Sequence, residues 1–202
     1  MARILFTLAS LSLTLLATAF VLGLTIGDLY ELPHASQETM RWSSVHMLTG
    51  LFAALAVVLV ESIVVTYFIG TSRWCKEVVE TYGLDPALVV ASSRLKRRTF
   101  PWALAGMLGV VVIISLGGAA DPASGGLNSR AWVDWHFAGA LLGIVLIAWT
   151  YVAAWNIIVA NHAIIERIVN AVAQIRRERG LDDSGSAPAA SPPFLTGEEE
   201  TR

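Results

Sequence analysis

Cysteine is nearly absent, with Cys75 the only one in 202 residues. That excludes an internal disulfide and any cysteine-rich iron–sulfur or zinc centre. Charge is scarce as well: 15% of residues, against roughly 25% in ordinary soluble domains. The net charge of −2 offers no field for nucleic acid. Helix-turn-helix, zinc-finger and phosphate-loop patterns are missing. Polar stretches are short, which leaves no room for a large extramembrane catalytic domain. A site must therefore lie among the apolar segments or at their mouths.

What the chain has is apolar length, with 55% hydrophobic residues gathered into four runs. They cover about 4–26, 45–69, 101–116 and 132–159. A spanning helix needs about 20 mostly apolar residues. The third run reaches that length through Gly117, Gly118, Ala119 and Ala120. The runs are too continuous for the alternating strands of a membrane barrel. Helices satisfy their own backbone in lipid. The expectation is an all-α integral membrane protein, a four-transmembrane-helix up-down-up-down bundle over 1–180. The first run resembles a signal peptide, but it exceeds the usual apolar core of about 7–15 residues and reads as a retained helix.

Charge sets the expected topology. Arg73, Lys76, Arg94, Lys96, Arg97 and Arg98 lie between spans two and three, and Arg167, Arg176, Arg177 and Arg179 follow span four. The other two loops hold Arg41 and Arg130 alone, beside acids. Positive loops stay cytoplasmic, so both termini are expected there, in a bacterial inner membrane. Tyr30, Trp42, Trp132 and Trp135 fit the outer interface. Trp74, Phe100, Trp102, Tyr151 and Trp155 fit the inner one.

Between spans two and three, Asp85-Pro86 reads as an N-cap followed by proline at the first helical position. A helix of about two turns follows, either lying on the membrane surface or docked on a partner. Past span four, Ile164, Ile165, Ile168, Val169, Val172 and Ile175 continue a helical stripe. Residues 132–179 therefore read as one helix of about 48 residues, roughly 72 Å long, extending into the cytoplasm. Its apolar stripe needs cover from the inner-loop helix or from another subunit. The tail 181–202 is Ser-, Gly-, Ala- and Pro-containing, ends in acids, and reads as disordered.

Two of the four histidines stand out. His46 and His136 each fall about one turn inside the outer end of spans two and four. Those helices run parallel in an up-down bundle, so the imidazoles reach the same depth. That is the geometry of two axial ligands on one b-type haem. Gly50, Gly139 and Gly143 lie on the histidine faces and leave room for a flat macrocycle. Arg41 and Arg130 suit its propionates, and Trp42 and Trp135 suit its walls. Two other readings stay open: a quinone or lipid pocket, and ordinary interhelical packing. A bare metal ion needs further donors, for which Asp134 or Glu31 is available. His34 and His162 read as solvent- or headgroup-facing.

Glu61 sits well inside span two. A charged carboxylate in lipid is costly, so it should face the bundle, pair, or be neutral. It lies 15 residues below His46, about 22 Å along a helix. It therefore marks a separate proton or quinone site, with Ser62, Thr66, Tyr151 and Asn156 as neighbours. A packing role is the alternative. Cys75 has no histidine base beside it and reads as an inert surface thiol or a lipidation site.

With His46 and His136 so placed, the layout resembles the four-helix membrane cytochrome-b anchors of respiratory complexes. The resemblance implies transmembrane histidines for haem, a nearby quinone pocket, and catalysis in partner subunits rather than here. Function is expected to be electron transfer within such a complex. A cofactor-free accessory subunit and a proton-coupled transporter are the alternatives. No broken half-helices support the transporter.

Overall fold

The computed structural model describes residues 2–30, 36–124, 126 and 128–181. Each apolar run folds as a helix: α1 (Ala2–Thr25), α2 (Gln37–Tyr82), α3 (Ala87–Ala120) and α4 (Val133–Glu178). All four are long and apolar enough to cross a membrane, which makes this an integral membrane protein. His34 and Glu31 lie outside the described residues, as does the tail beyond Leu181.

The helices pack in chain order, α1 on α2, α2 on α3, α3 on α4, and α4 closes back on α1. Across the middle, α2 touches α4, whereas α1 and α3 hardly meet. Lipid supplies no hydrophobic drive for helix association, so close approach depends on small side chains and packing. Ala53, Ala54, Ala103 and Ala154 are buried where the helices cross, and Val57, Val64, Phe68, Ile147 and Ile158 fill the space between them. The packing face of α1 is Leu5, Ala9, Ser12, Leu16 and Ala19, at helical spacing. Ser12 and Tyr151 share a hydrogen bond of 2.8 Å across it.

Three sequence expectations change. The second helix does not stop near residue 69 but continues to Tyr82. Its charged end stays helical through i,i+4 pairs, Arg73–Glu77 at 2.8 Å and Lys76–Glu80 at 3.8 Å. The inner-loop helix is not a separate two-turn piece on the membrane surface. It runs through Pro101 into span three as one helix, a continuation that membrane bundles tolerate. The helix begins at Ala87 with Pro86, not Asp85, at the cap position, and Asp85 accepts from the Ala87 N–H at 2.8 Å from one residue further out. Tyr151 is not an interface ring. It is 5% exposed and points into the bundle.

The extension of α4 is covered as its stripe demanded. Ile168 packs with Cys75 and Val79, flanked by Leu88, Val89, Ile164, Ile165 and Val172. The cover comes from α2 and the start of α3. Cys75 is consequently fully buried, which removes both the surface-thiol and the lipidation readings.

The α2–α3 turn relies on Gly83, at φ 64° and ψ 36°, whose N–H bonds the Val79 carbonyl. Side chains with a Cβ are strained in this left-handed region. Gly83→Ala is expected to cost about 1–2 kcal/mol, read as earlier thermal unfolding in detergent. No loss of stability would mean that the turn relaxes to another geometry.

Candidate functional site

Histidine reaches the bundle interior where the opposing backbone is bare. His46 on α2 turns to α1, and its Nδ1 donates to the Ala19 carbonyl at 2.8 Å. Gly23 stands four residues after Ala19, where a side chain would meet the His46 ring. A Cβ on it would sit 2.9 Å from the His46 Cε1. On the other hairpin, His136 on α4 turns to α3 and lies against the Ile113 backbone. Its Nδ1 is buried there without a hydrogen bond of full geometry. Gly117 stands four residues after Ile113, and a Cβ on it would sit 3.0 Å from the His136 Cε1. Each hairpin thus offers a carbonyl and a glycine to the histidine of its second helix.

This arrangement fixes the tautomer. A carbonyl can only accept, so Nδ1 of His46 carries a proton, and in the neutral ring that leaves the Nε2 lone pair free. The two rings lie 6.2 Å apart, centroid to centroid, with planes crossed at 74°. Two imidazoles sharing one metal on opposite sides need centroids about 6 Å apart, because each metal–nitrogen bond is about 2 Å. Among the described residues there is no group of three or more His, Cys, Asp or Glu that could hold a bare metal ion. Asp134 is exposed.

The surroundings differ from the sequence reading. Gly139 and Gly143 do not leave room for a macrocycle, because Leu116 and Ile113 of α3 pack into those notches. Gly50 faces open space. Trp42 and Trp135 point outward, 45% and 66% exposed, and Phe20 and Phe137 pair beside the histidines instead, at 5.6 Å. Arg41 and Trp42 border a surface hollow of about 760 Å³ above His46. Arg130 is engaged otherwise: it lies 3.8 Å from Asp28 and stacks over Tyr30. The Tyr30 hydroxyl donates to the Ala120 carbonyl, tying the first loop to the end of α3. His162 is exposed and pairs with Glu166 at 3.3 Å.

Glu61 forms a second polar centre, 1% exposed, between α2, α3 and α4. Its partner is Thr150, whose Oγ1 lies 2.7 Å from Glu61 Oε1. Gly106 of α3 lets the carboxyl in, since a Cβ there would overlap Oε1. Ser62 is half-buried, while Thr66 and Asn156 are exposed; none bonds to Glu61. The sequence reading passed over Thr150, although it stands 14 residues after His136, almost the offset of Glu61 from His46. Further along, Asn161 is fully buried and donates to Tyr67 and Thr71, both at 3.2 Å. Apolar layers separate the centres. Val57, Val110 and Ile147 lie above Glu61, and Val64, Phe68, Ala154 and Ile158 below it.

No protein-family model matches the chain, and no curated protein or solved structure matches it either.

Proposed function

We propose that this chain is a small membrane subunit that carries electrons on one b-type haem held between α2 and α4, with His46 and His136 as axial ligands. The observation that carries this reading is the histidine pair. Two imidazoles from parallel helices lie 6.2 Å apart, one of them with its Nδ1 committed to a backbone carbonyl, and among the described residues no third His, Cys, Asp or Glu joins them. A donor set of two suits a metal whose remaining positions are filled by its own macrocycle. Backbone hydrogen bonds to Nδ1 are the usual means of orienting such a ligand and raising its basicity. Arg41, at the rim, would meet its propionates.

When bound, haem supplies a one-electron couple. The chain's own residues hold the imidazoles in register, keep water from the iron and bury the charge. In this reading the chain carries electrons, and catalysis belongs to partner subunits. By the positive-inside rule, the positive charges at the α2–α3 turn and toward the end of α4 support a cytoplasmic orientation of that side.

A second reading rests on a groove in the helical extension, lined by Trp74, Val78, Val169 and Val172. Its apolar lining suits a cofactor-free accessory subunit that grips a neighbour. A visible absorption spectrum with pyridine-haemochrome analysis separates the two. The first reading expects a low-spin Soret band and a b-type haemochrome from protein made with ample haem. A colourless, folded protein decides for the second.

A further inference from the structure

Glu61 is the one acidic side chain buried among the described residues. No lysine, arginine or histidine forms an ion pair with it. Among the described residues, the titratable group that interacts with it is Tyr151, on α4, whose hydroxyl is shared with Ser12 on α1. Gly106 of α3 lies against its carboxyl, and α4 offers it the hydroxyl of Thr150. Its second oxygen, Oε2, is buried with no partner.

The hydrogens can be counted. Thr150 Oγ1 lies 2.7 Å from Glu61 Oε1 and 2.8 Å from the Ile147 carbonyl. One hydroxyl carries one hydrogen, and a carbonyl can only accept. If Thr150 donates to Ile147, its oxygen is free to accept, and Glu61 must then supply the hydrogen. If Thr150 donates to Glu61 instead, the carboxyl is either ionised in a lipid-embedded bundle with one neutral donor, or neutral with its proton on Oε2, a buried donor with no acceptor. A charge buried on those terms is not compensated. The neutral acid closes the count, with Glu61 donating to Thr150 and Thr150 donating to Ile147. Its Oε2 is then a carbonyl oxygen without a donor, a much smaller cost than an unpaired charge. The adjacent pair repeats the pattern, with Ser12 3.1 Å from the Ala9 carbonyl and 2.8 Å from Tyr151.

We propose that Glu61 is a proton-binding site in the middle of the bundle, holding an exchangeable proton at neutral pH that it donates to Thr150. Gly106 gives the carboxyl its space, and the apolar layers on either side keep the site from being short-circuited by water. The site stands on these residues alone and does not depend on the haem reading.

Infrared spectroscopy of the full chain in lipid tests it. At pH 7 exposed carboxylates are ionised, so the wild type should show one carboxylic-acid carbonyl band that moves in D2O. Glu61→Gln, which keeps the shape and a donor to Thr150, should remove it. Thr150→Val should shift it upward in frequency, because a hydrogen bond is lost. A wild type without the band, a band that survives in Glu61→Gln, or a band unmoved in D2O each overturns the proposal. Should Glu61→Gln fail to fold, the Thr150→Val shift still decides, and an unshifted band there counts against the site. None of these readouts changes with haem content, so the two readings fail separately.

Discussion

Gly106→Ala is expected to destabilise the protein by about 2–4 kcal/mol, which combines overpacking with a broken buried hydrogen bond. The added Cβ overlaps Glu61 Oε1 and comes within 3.1 Å of both Glu61 Cδ and Thr150 Oγ1. The carboxyl cannot swing into solvent, because it is 1% exposed and lipid lies outside the bundle. Either α3 moves away from α2 and α4, or Glu61 loses Thr150 and is left buried with two empty oxygens. Gly50→Ala provides the control, since a Cβ there meets nothing within 4 Å. It should leave stability unchanged or raise it by up to about 1 kcal/mol through helix propensity. Thermal unfolding in detergent reads both. Equal midpoints for the two variants would mean that Gly106 is not the cradle of Glu61.

Much of this was legible from the chain. The apolar runs gave four helices because lipid leaves the backbone no alternative. The stripe from Ile164 to Val172 gave a long fourth helix, found at Val133–Glu178, and its need for cover. Where α2 ends was not legible, because hydropathy falls at Arg73 while helicity does not. The charged turns beyond Arg73 are held by neighbouring side chains and by Cys75 and Val79 packing on Ile168. The same confusion of span with helix made the start of α3 look like a surface piece.

The site was half legible. Equal depth of His46 and His136 follows from their offsets in parallel helices, and the structure brings the two rings together. What each histidine leans on did not follow. Glycines were sought on the histidine helices, at Gly50, Gly139 and Gly143, because i,i+3/i+4 spacing exposes them. The glycines that admit the rings are Gly23 and Gly117, on the opposite helix of each hairpin. A signal existed in principle, since both hairpins use a glycine before the turn and a histidine after it. It is blurred because 23 residues separate Gly23 from His46 and 19 separate Gly117 from His136. Unequal loops put the two hairpins out of register, so no sequence repeat shows. Thr150 was missed for a different reason. A threonine inside an apolar helix bonds its own backbone in most settings, and only tertiary contact reveals the acid beside it.

On the haem reading, replacing either histidine is expected to abolish the low-spin spectrum, because each would supply a ligand that the other cannot replace. His46→Ala and His136→Ala should give the same result, colourless or high-spin protein, although only His46 has a full hydrogen bond to its carbonyl. The glycine variants divide ligation from packing more finely. Gly23→Ala sets a Cβ 2.9 Å from the His46 Cε1, and Gly117→Ala sets one 3.0 Å from the His136 Cε1. Each ring must tilt off its carbonyl while remaining on its helix. Loss of such a supporting bond lowers metal affinity about 10–100-fold, so these variants should keep the band but lose haem faster to a scavenging apoprotein. Gly23→Ala should show the larger change, because its Cβ intrudes more and breaks a formed bond. Gly139→Ala disturbs the Leu116 packing and touches neither ring, so it should change stability without changing haem release. If Gly139→Ala speeds release as much as Gly23→Ala does, general bundle packing controls the site and the carbonyl-held imidazoles do not.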